Sequence, residues 1–419
     1  MKKIAIIGAG ISGLTVGQLL KDKYEVKLFE KETTPGGLIR CRRVNGSLYH
    51  ICGGHVFNSK RKEVLDWFWA FFSCDDEFVK ADRNSVVFME DGVVIPYPIE
   101  NHAYLFNDEM LKSFISDLIT LVKCEGDDPP ANFEEFLKRR FGLTLYENYF
   151  RPYNEKVWRK DLKQVPLSWL EGKLPMPTIA EMIYNNINHI KEKQFVHSTF
   201  WYEKQGGSQL IADRLAEGLD IVFNTEIEHI ERLGMSYVIN GEHFDKVIFC
   251  GNIKTLPSLI SNGTVYEKVI LREAEISALE SHGTTSVFCS IDKNPYSWIY
   301  MPSKLHASHR IICTGNFAST NNAEGLMTAS IEFTDKITKE EILDNLERIP
   351  LHPQYLDHCY SKYTYPIQNS TTRQMIKDLK ADLAVEGLYL TGRFADWEYY
   401  NMDVAIGAAM DMVRDNHLI

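Results

Sequence analysis

Gly8, Gly10 and Gly13 stand in the spacing G-x-G-x-x-G, and Glu30 follows about twenty residues after the first of them. Glycines so placed permit a tight turn, a close backbone approach to a pyrophosphate, and close packing of helix on strand. A helix N-terminus offers the same anion unpaired N–H groups and a partial positive charge. An acid at Glu30 can accept hydrogen bonds from a ribose diol, and its charge repels a 2′-phosphate. The chemistry indicated is the holding of a dinucleotide. His55 follows paired glycines in Tyr49-His50-Ile51-Cys52-Gly53-Gly54-His55-Val56-Phe57, which suits backbone lying against something flat with an imidazole at its edge. A lone histidine is also a common structural hydrogen-bonder. The run Tyr149-Phe150-Arg151-Pro152-Tyr153-Asn154-Glu155-Lys156-Val157-Trp158 groups polar-tipped aromatics around a proline. It reads as a poor helix, and either as a wall for a flat, polar-edged ligand or as packing at a domain seam. Arg310 lies ten residues past Tyr300, and Tyr365 sits in Tyr-Thr-Tyr-Pro. A strand arginine is ordinarily solvated, so spacing alone does not make Arg310 a ligand contact.

Elements to position these residues are legible on either side of them. Lys3 to Ile7 is an apolar, β-branched run of the kind buried on both faces. Leu14, Val16, Leu19 and Leu20 then recur with helical spacing, and Glu25 to Phe29 forms a second strand. Pro35-Gly36-Gly37 is a turn that lets backbone come close to a ligand anchored by the glycine fingerprint. Asp91-Gly92 between apolar runs predicts a hairpin over Val86 to Pro96. Residues 100–195 read as a helical insertion, with apolar repeats from Leu111 to Lys123 and from Phe133 to Tyr146. Strand patterns return at Thr199, at Asp220 to Phe223 and at Val247 to Cys250; Gly206-Gly207 precedes an amphipathic helix. Short strands at Thr285–Ile291, Ser297–Met301, Arg310–Thr314 and Met327–Phe333 dominate the stretch from about 265 to 380. A final strand ends at Thr391-Gly392 and a small-residue helix starts near Met402. The expected architecture is α/β. A discontinuous Rossmann-like dinucleotide-binding domain takes 1–78, 196–264 and 380–419, a helical domain takes 100–195, and an antiparallel β-sheet domain on the substrate side takes 79–99 and 265–379.

Composition narrows the function classes. A chain of 419 residues exceeds one ordinary core. A net charge of −11 without a long basic run argues against nucleic acid or an anionic membrane surface as the main partner. No apolar stretch reaches transmembrane length, and no signal pattern precedes the first strand, so a cytoplasmic protein without membrane insertion is expected. The eight cysteines lack metal-ligand spacing, and no metal is expected. The helical insertion could carry a homodimer interface, although nothing in its pattern marks one.

The acid-ended second strand followed by Pro35-Gly36-Gly37 resembles the FAD-binding branch of two-dinucleotide-type flavoproteins, which includes amine oxidases, protoporphyrinogen oxidases and desaturases. Taken together, GAGISG, PGG, GGHVF, PYPIEN, RPYNEKVW, WIYMP with Arg310, TYP and GRFADWEYYNM resemble UDP-galactopyranose mutases, in family order from residue 7 to 402. GGH and GRFxxWxY are the most specific of these motifs. The resemblance implies an isomerase that interconverts UDP-galactopyranose and UDP-galactofuranose for surface polysaccharide, with N5 of reduced FAD as nucleophile at the anomeric carbon and no net redox change. It assigns the cofactor to Gly8, Gly10, Ile11, Ser12, Gly13, Glu30, Lys31, Gly36, Gly37, Leu38, Gly54, His55, Ile227, Gly392, Arg393, Tyr399, Asn401 and Met402. The UDP-sugar falls to Tyr97, Tyr149, Tyr153, Asn154, Trp158, Lys173, Tyr300, Arg310, Tyr365 and Tyr399. Of all these, His55, Arg310, Tyr300, Tyr365, Tyr399 and Lys173 are the catalytic candidates. The sequence departs from the family where a second clamp arginine belongs on a mobile loop, since the nearest residue is Lys173, and Glu100 stands where eukaryotic relatives tend to have glutamine. A flavin amine oxidase or desaturase, a mutase for another UDP-sugar, and a flavin-binding scaffold without catalysis are the alternative readings.

Overall fold

Alternation along the Lys3–Ile7 strand sends Ile4 and Ile6 into one apolar core and Ala5 and Ile7 into a second. The strand is therefore buried on both faces, as a central parallel strand must be. In this computed structural model, which describes residues 1–123, 129–167, 177–190 and 199–419, it is the middle of a five-stranded parallel sheet. The order is Leu388–Leu390, Lys246–Phe249, Lys3–Ile7, Glu25–Phe29, Asp220–Val222. One face is covered by the helices Ile11–Leu20, Gln209–Ala216 and Met402–Asp415. The other is covered by a three-stranded meander (Glu231–Leu233, Ser236–Ile239, Glu242–Phe244) and by the helices Gly263–Ile270 and Thr372–Ala384. The sheet is thus a Rossmann-like unit assembled from distant parts of the chain.

A second sheet has seven strands in the order Gln354–Ile367, Glu280–Ser290, Thr328–Thr334, Arg310–Ile312, Trp298–Tyr300, Ser85–Phe88, Val94–Pro96. It departs from the expected antiparallel sheet in one pairing: Trp298–Tyr300 runs parallel to Ser85–Val87, whereas its other pairings are antiparallel. The hairpin strand enters from a part of the chain more than two hundred residues earlier, so no tight turn dictates its direction. Ile299, Ile311, Ile331 and Val287 pack together in an apolar core on one face of this sheet.

Between the sheets' segments lie the helices Asp108–Lys123, Phe133–Leu145, Arg151–Trp158 and Ile179–Asn188, with a π-helical turn at Tyr146–Phe150. The segment expected to be a poor helix is therefore helical. Pro152 falls in the first turn of Arg151–Trp158, directly after the π-helical turn Tyr146–Phe150.

Candidate active site

The glycine fingerprint closes into a backbone cradle. Gly8 adopts φ +99°, and a Cβ on Gly13 would lie 1.9 Å from the Gly8 carbonyl oxygen, so helix and turn touch only because Gly13 has no side chain. Gly36 donates its N–H to the Ala9 carbonyl at 2.8 Å, and a Cβ on Gly37 would come 3.2 Å from the Gly10 Cα. The two glycine turns therefore meet over the N-terminus of Ile11–Leu20, which no side chain caps. Glu30 is buried at the end of its strand and accepts from the N–H groups of Ala9 (2.7 Å) and Glu32 (3.0 Å). Gly392 packs against Ser12, placing the last strand beside the same helix start, and Met402 is buried behind it while Asn401 is exposed. Ile227 is buried in the core that holds Phe29. Lys31 extends into solvent with Glu226 3.9 Å away. A glycine-lined backbone cradle at a helix N-terminus that no side chain caps, with a buried acid beside it, fits a flavin adenine dinucleotide.

Strand register builds the second half of the site. Tyr300 is paired directly with Arg310, and Arg310 directly with Glu332, so three neighbouring strands carry these side chains in one row on one face. The Arg310 guanidinium donates through Nε to Glu332 and through Nη2 to the Tyr365 hydroxyl at 2.9 Å. Glu332 is fully buried; burial alone would push its carboxyl up, but Arg310 and His309 hold it well below the usual carboxylate range. Its other oxygen accepts the Gly53 N–H at 2.9 Å. One carboxylate thus joins the arginine to the Gly53–His55 loop. Gly54 has no room for a side chain, because a Cβ would sit 2.5 Å from Ile312 Cγ2. Burial and the nearby Arg393 push the His55 imidazole down to about 4, so it is neutral, and its buried Nε2 has no hydrogen-bond partner among the described residues. Arg393 lies over the Tyr399 ring at 4.1 Å and the Tyr365 ring at 5.6 Å, and those two rings stack at 5.3 Å.

Four phenols form the adjoining wall. Tyr97 lies 5.0 Å from Tyr300, Tyr300 meets Tyr153 edge-on at 5.7 Å, and Tyr153 stacks on Tyr149 at 5.7 Å. Burial raises the hydroxyls of Tyr97, Tyr149 and Tyr153, so they stay protonated and able to donate. Asn154 donates its amide to the Phe150 carbonyl of its own helix at 2.7 Å. Trp158 is buried in the helical core, its carbonyl bonded to His282 Nε2 at 2.6 Å. The structure therefore brings Tyr97, Tyr149, Tyr153, Tyr300, Arg310, Tyr365, Tyr399, Arg393 and His55 into one continuous set of contacts through His309, Glu332 and Gly53. Lys173 lies outside the described residues.

Two members of the site, Arg83 and Glu332, were not singled out from the sequence, whereas Lys156 and Glu100 were already named in its motifs. Arg83 donates to the Tyr300 hydroxyl at 2.7 Å and lies over the Tyr97 and Trp298 rings; nothing in the pattern around it marks it. Glu332 did leave a signal, a single charge inside the otherwise uncharged strand Thr328–Thr334. Lys156 ties two carbonyls, Met301 (2.9 Å) and Ser308 (2.8 Å), with an amine that burial pushes down to about 7. Glu100 is buried with Oε1 unpartnered, and burial pushes its carboxyl up to about 7.

Residues 6–72 match the family model of an NAD(P)-binding Rossmann-like domain. A crystal structure of reduced UDP-galactopyranose mutase superposes with a TM-score of 0.87 at 21% identity, covering 100% of this chain and 94% of the other. The chain has the fold of UDP-galactopyranose mutase. Curated relatives agree with that likeness: UDP-galactopyranose mutase of Mycoplasma genitalium is 20% identical over 96% of this chain and 92% of its own length. The dTDP-fucopyranose mutase of Escherichia coli is 24% identical over 60% of this chain, and the match spans 64% of the relative's length. Among the described residues no helix is long and apolar enough to cross a membrane.

Proposed function

We propose that this protein is a flavin-dependent mutase that interconverts the pyranose and furanose forms of UDP-galactose. The observation that carries this reading is Arg310, fixed by Glu332 and Tyr365 and linked through Glu332 to the His55 loop. Bound reduced FAD supplies a nucleophilic nitrogen, N5, for the anomeric carbon. The chain's own residues do the rest. Gly8, Gly10, Gly13, Gly36 and Gly37 bring backbone to the pyrophosphate, and Glu30 takes the ribose. Arg310 clamps the diphosphate that must leave and return, helped by the hydroxyls of Tyr300, Tyr365 and Tyr399. A fixed guanidinium stabilises the charge gathering on that leaving group without having to reorganise. His55, neutral and with Nε2 unpartnered, would hold the flavin ring together with Arg393. Tyr97, Tyr149 and Tyr153 enclose the uridine. An enzyme of this kind, working on the cytoplasmic side, would supply a surface polysaccharide.

The test is turnover of UDP-galactofuranose to the pyranose by dithionite-reduced and as-isolated protein. Conversion by the reduced form alone supports the reading. Oxidation of an amine by the as-isolated protein would point to an oxidase instead, and UDP binding without turnover would sink the galactose assignment. The likeness to dTDP-fucopyranose mutase makes the dTDP-linked sugar the second substrate for the same assay.

A further inference from the structure

We propose that His50 is a positioning residue that fixes the orientation of His55; this rests on the reading of the Gly53–His55 loop as flavin-facing. His50 is fully buried, and its Nδ1 accepts the His55 backbone N–H at 3.4 Å, with the two rings 6.0 Å apart. Its Nε2 is 2.8 Å from the Tyr202 hydroxyl, which also accepts from Asn321 Nδ2 at 3.0 Å. Asn321 is held in turn by the Thr314 carbonyl at 2.8 Å. Ser208 Oγ lies 3.2 Å from Nδ1 and donates to the Ile39 carbonyl at 2.7 Å. With that proton engaged, the His55 N–H is the donor to Nδ1, and Nε2 carries the ring proton toward Tyr202. Burial and the neighbouring His55 push the His50 imidazole down to about 3, so it keeps one acceptor nitrogen at every working pH.

The consequence is mechanical. Gly53 is tied to Glu332, Gly54 is pressed against Ile312, and His55 is tied to His50. The loop can neither lift nor slide without breaking a buried hydrogen bond. His50 also reaches Tyr202 on the strand Thr199–Glu203 and Ser208 at the start of Gln209–Ala216. Packing beside Tyr202 is close, since a Cβ on Gly207 would meet Tyr202 Oη at 2.9 Å and Cys41 Sγ at 3.2 Å. Misplacing a reacting partner by about 1 Å costs on the order of 100-fold in rate.

The experiment compares His50→Phe, His50→Asn, His55→Ala and the double variant His50→Phe/His55→Ala as FAD-loaded proteins. The readouts are FAD content, the flavin reduction potential, and kcat and KM for UDP-galactopyranose. His50→Phe is expected to keep FAD and KM, to lower kcat by about 100-fold, and to shift the potential in the direction that His55→Ala does. His50→Asn, whose Oδ1 restores the acceptor, is expected to recover both. The double variant should be no worse than His55→Ala. Additive losses, or a His50→Asn variant as impaired as His50→Phe, overturn the proposal. An unchanged potential and kcat in His55→Ala overturns the flavin-facing reading itself. Should His50→Phe not fold, Tyr202→Phe serves in its place: a fall in kcat with His55 present and none in the His55→Ala background supports the proposal, and equal falls refute it.

Discussion

Glu100→Gln is expected to stabilise the protein more the higher the pH. The Glu100 carboxyl is 2% exposed, its Oε1 has no hydrogen-bond partner among the described residues, and burial raises it from 4.5 to about 7. Between those values the folded protein keeps a proton that the unfolded chain has released, so stability falls as pH rises through that window. At 1.36 kcal/mol per pH unit the whole fall is about 3 kcal/mol, complete above pH about 7. Glutamine has the same shape, does not ionise and escapes this loss. Glu203, also buried and pushed up to about 8, contributes a similar fall to both proteins and cancels in the comparison. Urea unfolding of the FAD-loaded proteins at several values between pH 5 and 8 gives the difference directly. It should grow with pH toward about 3 kcal/mol. A difference that does not change with pH means that Glu100 does not titrate in this window. A variant less stable than the parent at pH 8 means that the carboxylate is paired after all.

Gly13→Ala should yield protein without flavin, because the added Cβ would lie 1.9 Å from the Gly8 carbonyl oxygen; visible absorbance after gel filtration reads it. Glu332→Gln removes the charge facing Arg310 while leaving an oxygen for Gly53. Turnover should fall on the order of 100-fold, with about 3 kcal/mol lost from unfolding stability, and a variant within about two-fold of the parent rate contradicts the role given to Arg310. Lys156→Met leaves the Met301 and Ser308 carbonyls without their donor. It should cost about 2 kcal/mol of stability and raise KM for the nucleotide sugar without loss of FAD, as urea unfolding and steady-state kinetics will measure.

Local signals carried the dinucleotide half of the molecule well. Lys3–Ile7, Ile11–Leu20 and Glu25–Phe29 lie where the apolar pattern and the glycines predict them, because a βαβ unit is fixed by contacts close in sequence. The Gln354–Ile367 strand was not recognised: Asp, His, Cys, Lys and Ser interrupt its fourteen residues, and it lies at the edge of its sheet. Arg83 was invisible because the partners that tie it to the second sheet, Tyr300 and Trp298, come from more than two hundred residues away. Arg310 had no meaning in isolation. It acquired one only from the register that sets it between Tyr300 and Glu332, and register between distant strands has no signature in either strand alone.

That register also bears on which chemistry the site can support. An amine-oxidising site needs an apolar passage for its substrate, so that a neutral amine can approach a flat ring. Here the residues beside the His55 loop are two guanidiniums, Arg310 and Arg393, a buried carboxylate that holds one of them, and the stacked phenols of Tyr365 and Tyr399. Such a set disfavours a cationic amine, since only Glu332 carries negative charge and Arg310 already engages it. It favours a dianionic diphosphate, which meets donors already fixed in place. Glu332 adds a constraint that an oxidase would not require. By bonding Gly53 with one oxygen and Arg310 with the other, it fixes the distance between the His55 loop and Arg310, which in the proposed mutase are the flavin-facing loop and the diphosphate clamp. A reaction in which the sugar detaches from its diphosphate, changes ring size and rejoins the same diphosphate depends on that distance staying constant throughout.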